Sequence, residues 1–172
     1  MFTKIDLCSM ALIKLGEKPI QSLNEDSASA QLARTLYDPI VDTLLSTFPW
    51  RFATKPFVLN KNSDGKIVIP VDVLRIIKCD GQIVGNTIET PADTIDVIAI
   101  VKTAPEYFPE YFSTLTATKL AMEFCIPLIG DKSIFQMMTA LFESEYQTAK
   151  FLDSATSNIS NIDKFSLIDS RF

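Results

Sequence analysis

A helical pattern gives way to a strand pattern within the sequence Tyr37-Asp38-Pro39-Ile40-Val41-Asp42-Thr43-Leu44-Leu45-Ser46-Thr47-Phe48-Pro49-Trp50-Arg51-Phe52-Ala53. Spacings of three and four residues place one apolar face on this helix, made by Ala33, Tyr37, Ile40, Leu44 and Phe48. Because Pro49 disfavours helical geometry at Phe48, we expect the helix to end there. The only tryptophan of the chain follows directly. The pattern therefore predicts an aromatic cluster where a helical layer meets strands.

We expect this junction to be structural core. The residues placed in that core are Tyr37, Pro39, Pro49, Trp50 and Phe52. Pro39 has no N–H to donate to the carbonyl of Thr35. The sequence therefore predicts either a kink at Pro39 or a fresh helix start capped by Asp38.

Size and composition are those of an ordinary globular domain. The chain has 172 residues, of which 47% are hydrophobic and 22% are charged. These values argue against a disordered chain and allow a sizeable core. No apolar run approaches the roughly 20 residues that cross a bilayer, and the N-terminus has no export-signal pattern. We expect a soluble protein that is made in a cytoplasm and does not enter a membrane.

The composition removes several kinds of chemistry. Histidine is absent, which excludes Ser-His-Asp and Cys-His catalysis and metal sites that depend on histidine. Cys8, Cys79 and Cys125 are far apart and form no CxxC pair, so we expect reduced, buried thiols. No glycine-rich phosphate loop occurs. We therefore expect no enzyme activity, no cofactor and no metal, and the net charge of −5 argues against nucleic-acid binding by charge.

The order of patterns predicts an α+β fold. Thr3 and Asp6 have the spacing of a helix cap, and Gly16 ends the first helical run. From Thr54 onward, short runs of branched residues alternate with turn signals such as Asp64-Gly65, which predicts about five antiparallel strands. Helical patterns return after Pro105. They include a run at 115–126 and a last helix with one face marked by Phe135, Met138, Phe142, Ala149 and Leu152.

We therefore predict a helical bundle of about four main helices with an inserted small antiparallel β-sheet or sandwich. Residues 1–53 form the N-terminal part of the bundle, 54–104 the β subdomain and 105–153 the C-terminal part of the bundle. Residues 154–172 are expected to form an extended C-terminal arm. Polar residues dominate this arm, and isolated apolar residues recur in it, namely Ile159, Ile162, Phe165, Leu167, Ile168 and Phe172.

Two interpretations of the arm are open from the residues alone. A segment with no core of its own but with recurring apolar residues is typical of a chain that orders on a partner. The same residues could instead fold back over their own domain.

An ordered series of short motifs resembles the head-to-tail adaptor family of short-tailed bacteriophages, often called the tail tubular protein A family. The series covers most of residues 7 to 150. It consists of ALIKLGEKPIQSL at 11–23, NEDSA at 24–28, YDPIVD at 37–42, PWRFA at 49–53, IPVDVLR at 69–75, AME at 121–123 and IPLIG at 126–130.

The resemblance implies a structural virion protein at the head-tail junction, assembled in the host cytoplasm. Family members form a ring of twelve copies beneath the portal protein, extend the DNA channel and carry the tail nozzle protein. Genomic double-stranded DNA passes through the lumen without specific binding. The resemblance also implies that the arm docks on the portal through Ile159, Ile162, Phe165, Leu167, Ile168 and Phe172.

Two other functions stay open. The chain could be a neck or connector protein of a long-tailed phage, or an intracellular enzyme or regulatory module with an unrecognised site.

Overall fold

The computed structural model describes residues 1–162, with side chains described as far as Ala155. Within this part of the chain, four α-helices and six strands form an α+β fold, as predicted. A short 3-10 helix, Pro105–Tyr107, precedes the third α-helix. The elements are α1 (Lys4–Lys14), α2 (Ala28–Thr47), β1 (Thr54–Asn60), β2 (Ile67–Val68), β3 (Val73–Cys79), β4 (Gln82–Val84), β5 (Thr87–Glu89), β6 (Thr94–Val101), α3 (Glu110–Leu128) and α4 (Lys132–Ile162).

Both ends of α1 follow from local sequence chemistry. Thr3 and Asp6 form the predicted capping box, in which each side chain accepts a hydrogen bond from the other residue's backbone N–H. At the other end, Gly16 adopts a φ of 79°, and the N–H of Glu17 donates to the carbonyl of Leu12 at 2.9 Å. This is the Schellman motif, which needs a residue that tolerates positive φ. The predicted start and end of α1 are confirmed.

Helix α2 runs without interruption through Pro39, so the predicted fresh helix start at Asp38 is wrong. Ser27 caps α2 instead, accepting from the N–H of Ala30. Pro39 is also exposed, so its placement in the core is wrong. The physical reason is the helical period, because a residue two positions after the buried Tyr37 lies on the opposite side of the helix.

The β subdomain consists of two antiparallel three-stranded sheets, in the orders β1-β6-β3 and β2-β5-β4. Six strands form here rather than about five, and three of them, β2, β4 and β5, are only two or three residues long. The sheets enclose a small core of their own, separate from the helical core. Its buried members are Ile67, Ile88, Ile95, Val97 and Ala99.

Helix α3 lies at the centre of the helical part and contacts α1, α2 and α4. It is longer than the predicted run at 115–126, since it begins at Glu110 and passes Pro127 by one residue. Gly130 follows with a φ of 70°, and its N–H donates to the carbonyl of Cys125. Many of its own side chains are fully buried, including Phe112, Leu115, Leu120 and Phe124.

Helix α4 has 31 residues and continues to Ile162, nine residues beyond the expected bundle boundary at 153. Residues 154–162, expected to begin an extended arm, therefore have a helical backbone. Asp131 caps the helix by accepting from the N–H of Ser133 at 2.7 Å. Met138 and Ala149 on the predicted apolar face are buried, whereas Leu152 is 41% exposed. The predicted arm residues Phe165, Leu167, Ile168 and Phe172 lie outside the described residues.

The expected thiol burial is confirmed for Cys8 and Cys125, while Cys79 is only half-buried. Burial raises the pKa of the Cys8 thiol to about 12. In the described part of the chain, no helix combines the length and apolar character that a membrane span requires.

Candidate functional site

Trp50 forms the centre of an aromatic cluster that joins α2, α3 and α4. Its ring lies 5.0 Å from that of Phe48, 5.0 Å from that of Phe112 and 6.0 Å from that of Tyr146, all in edge-to-face geometry. The indole N–H donates to the carbonyl of Leu44 at 3.1 Å. This hydrogen bond satisfies one of the carbonyls that the end of α2 leaves without a helical partner.

The cluster continues toward the start of α3. The ring of Phe52 lies 4.9 Å from that of Phe112, which lies 4.8 Å from that of Phe108. The predicted aromatic cluster at the exit of α2 is therefore confirmed.

Three of the five predicted core residues of the junction belong to the core, and two do not. Tyr37 and Trp50 are buried, and Phe52 is half-buried against the same core. Pro49, like Pro39, is exposed, so its placement in the core is wrong. Pro49 acts on the backbone instead: α2 ends at Thr47, and Phe48 adopts the extended φ of −139° and ψ of 148° that a residue before proline prefers.

Asp153 is a buried carboxylate that the sequence interpretation missed. Its side chain is 2% exposed and accepts from the backbone N–H of Arg51 at 3.1 and 3.2 Å. It also accepts from the hydroxyl of Tyr111 at 2.7 Å. Burial raises the pKa of the Tyr111 hydroxyl, and the hydrogen bond to Asp153 raises it further. Asp153 thereby ties α4 to the turn after α2 and to the start of α3.

A sequence signal for this carboxylate existed. Asp153 follows Ala149 by four residues, and Ala149 belongs to the predicted apolar face of α4. A charged residue in that register is unusual, because burial of an unpaired charge is costly. Its pairing requires the backbone N–H of Arg51, 102 positions away, which no local pattern indicates.

We expect Asp153→Ala to lower the free energy of unfolding by about 1–3 kcal/mol, because two donors lose their acceptor. Tyr111→Phe should cost about 0.5–1.5 kcal/mol. Since both substitutions break the same hydrogen bond, the double variant should cost less than the sum of the two. Urea unfolding of the three variants measures this coupling. Additive losses would show that the hydrogen bond contributes nothing, and Glu143→Ala, on the exposed side of α4, is the matched control.

A second face of α4 is exposed and carries no charge. We call it the α4 seam and define it by Met137, Leu141, Ser144, Thr148 and Phe151, which follow one another at alternating spacings of four and three residues. Met137 is 58% exposed and Phe151 is 71% exposed. Beside the seam, α3 and α4 form an open groove of about 250 Å³, whose lining includes Glu145. Exposed apolar side chains such as Met137, Leu141 and Phe151 on one helix face are typical of an interaction surface.

The predicted arm residues divide into two groups. Ile159 and Ile162 belong to the helical backbone at the end of α4, and their side chains lie outside the described residues. The other four follow the last described residue. The structure therefore places Asp153, which precedes the predicted arm, beside the aromatic cluster. The contacts of the arm with a portal stay predictions.

Among the described residues, no cluster of three or more acidic, cysteine or histidine side chains has the arrangement of a metal site. Comparison of the chain with protein-family models and with curated proteins finds no match.

Proposed function

We propose that this protein is a structural head-to-tail adaptor of a short-tailed bacteriophage. A ring of its copies docks on the portal protein, extends the DNA channel and carries the tail nozzle protein. The observation that carries this proposal is α4, a helix of 31 residues that is fastened to the bundle at Asp153 and continues past it. The last part of this helix and the residues after it are the arm that, by the resemblance, docks on the portal.

The anchoring of α4 suits a docking role. A segment that binds a partner transmits force to its own domain only if its root is fixed. The carboxylate of Asp153 fixes that root through the backbone of Arg51 and the hydroxyl of Tyr111. The aromatic cluster lies next to it through Tyr146, one of the rings around Trp50.

The order of the elements also supports the proposal. Two helices, a β subdomain with its own core and two further helices follow one another. This order agrees with the helical bundle and β insertion that the motif series at 11–130 implies. The net charge of −5 suits a channel wall that repels DNA phosphates and lets DNA slide.

The alternatives differ in what they predict. A neck protein of a long-tailed phage would also bind a portal, and a gene for a long tail tube beside its own would favour that assignment. An enzyme or regulatory module would not bind a portal ring.

The test is to mix the purified protein with the portal ring encoded by the same genome and to record the mass of the complex. We expect an increase of about one copy per portal subunit, with cooperative occupancy because neighbouring copies contact each other. A portal ring of unchanged mass at high micromolar protein would contradict the adaptor function. A portal-sized ring from an unrelated phage is the control for non-specific association.

A further inference from the structure

A polar cleft of about 430 Å³ lies between α2, the turn before β3 and the segment that follows β6. The backbone N–H of Lys102 donates to the carbonyl of Asp72 at 2.7 Å, which fixes one rim of the cleft. The cleft therefore lies at the joint between the helical part and the β subdomain. We call it the α2–β6 cleft and define it by Tyr37, Val41, Asp42, Asp72, Lys102 and Ala104.

Two buried polar atoms of residues that line the cleft have no hydrogen-bond partner among the described residues. They are the hydroxyl oxygen of Tyr37, a residue that is 3% exposed, and the Oδ1 atom of Asp42. A buried polar atom without a partner costs free energy, and few occur in folded proteins. Both atoms therefore favour a ligand that supplies hydrogen-bond donors to the cleft.

Negative charge prevails around the cleft. Asp38, Asp42 and Asp72 line it with three carboxylates. The Nζ atom of Lys102 lies 2.9 Å from Oδ2 of Asp42, and that of Lys4 lies 2.9 Å from Oδ2 of Asp38. These two ion pairs leave a third carboxylate whose charge a cationic ligand would compensate.

An arginine side chain has the chemistry that this cleft requires. A guanidinium carries five N–H donors in one plane, so it can donate to several acceptors at once. Its alkyl stem can pack on the apolar part of the cleft, which Val41, Ala104 and Pro105 form. A ligand with a carboxylate of its own would be repelled by the carboxylates of the cleft. An arginine within a polypeptide therefore fits better than the free amino acid.

Lys102 is the side chain that such a ligand must displace, because the two unpartnered atoms lie below the surface of the cleft. Its ammonium is bound to Asp42, but the Lys102 side chain is 50% exposed, and an ion pair with such exposure contributes little to stability. Exchange of the ammonium for a guanidinium keeps the charge of Asp42 paired. The exchange also brings additional donors to Oδ1 of Asp42 and to the hydroxyl of Tyr37.

We propose that the α2–β6 cleft binds an arginine side chain of a partner polypeptide, whose guanidinium replaces the Lys102 ammonium on Asp42 and donates to the Tyr37 hydroxyl. The alkyl stem lies against Val41 and Ala104. Such a ligand contacts both the helical part and the β subdomain. The binding does not depend on the adaptor function.

The test is a titration of the isotope-labelled, full-length protein with N-acetyl-L-arginine amide, followed by the backbone amide signals. We expect saturable shifts at Asp42, Lys102 and Thr103, with an affinity in the millimolar range for a ligand of this size. N-acetyl-L-lysine amide and free L-arginine should bind more weakly. Uncharged N-acetyl-L-norleucine amide and magnesium chloride should leave these signals unshifted.

Substitutions separate the roles of the residues. Asp42→Asn should weaken binding about tenfold or more, because charged hydrogen bonds are lost. Lys102→Ala should strengthen binding several-fold, because it removes the competing cation. Tyr37→Phe should weaken binding several-fold without lowering the free energy of unfolding, since the described residues leave the hydroxyl without a partner. Asp93→Asn and Lys61→Ala are the matched controls, because they remove the same charges from an ion pair of the β subdomain.

The contrary results are equally specific. Signals that do not saturate, or equal weakening by Asp42→Asn and Asp93→Asn, would overturn the site, since binding would then reflect net charge alone. Weaker binding by Lys102→Ala would overturn the exchange of cations. Tighter binding of free L-arginine than of the capped form would overturn the polypeptide source. Because no portal is present in these experiments, failure of the adaptor function leaves the results unaffected.

Discussion

Trp50→Ala should lower the free energy of unfolding by about 3–5 kcal/mol, the range for truncating a large buried aromatic side chain. Trp50 is fully buried and contacts rings from the end of α2, from α3 and from α4. Its removal leaves a cavity where three helices meet and deprives the Leu44 carbonyl of the indole donor. Denaturant unfolding followed by circular dichroism measures the loss.

Two further variants separate packing from hydrogen bonding at this position. Trp50→Phe keeps most of the ring volume and removes the indole N–H, so it should cost less than Trp50→Ala. Tyr107→Ala, which truncates an aromatic residue that is 72% exposed, should change stability by less than about 0.5 kcal/mol. A loss for Trp50→Ala no larger than that for Tyr107→Ala would show that the cluster does not hold the helices together.

Deletion of residues 159–172 should abolish binding to the portal ring while the fold stays intact. The deletion removes all six apolar residues of the proposed docking arm, and apolar residues buried in pockets supply most of the energy of such interfaces. The anchoring hydrogen bonds of Asp153 precede the deletion, so the bundle keeps its contacts. The measurement is the mass of the portal complex, together with the unfolding midpoint of the free protein. A truncated protein that decorates portal rings normally would refute docking through the arm.

A point variant tests the same surface with less disruption. Phe165→Ser combined with Ile168→Ser should weaken portal binding strongly. The matched control is Ser166→Ala, which changes a polar residue between them and should leave binding unchanged.

Local chemistry made several elements predictable. The capping box at Thr3, the glycine end of α1 and the extended backbone of Phe48 before Pro49 each depend on residues within a few positions of one another. The alternation of branched residues and turn signals after Thr54 likewise depends on neighbours. Interactions between residues close together in the sequence depend little on the rest of the fold. The predicted elements are therefore confirmed, with shifts at their ends.

The predictions of burial are wrong where burial depends on how an element packs against its neighbours. Pro39 and Pro49 belong to the junction that the pattern predicts as core, but both are exposed. The pattern predicts Leu152 on the apolar face of α4, but this side chain is 41% exposed and the adjacent Asp153 is buried. At the end of a long helix, the helical period predicts only approximately which residues are buried. The element packed against the helix decides which side chain is covered.

The amino-acid sequence alone established the α+β class, the order of helices and strands, the aromatic cluster at Trp50 and the absence of histidine chemistry. These follow from composition, periodicity and short-range hydrogen bonds. Only the tertiary structure revealed the anchoring of α4 by Asp153 and the exposed seam beside the α3–α4 groove. Both depend on contacts between residues far apart in the chain. A carboxylate can be buried stably only where donors pair with it, and the donors to Asp153 come from Arg51 and Tyr111.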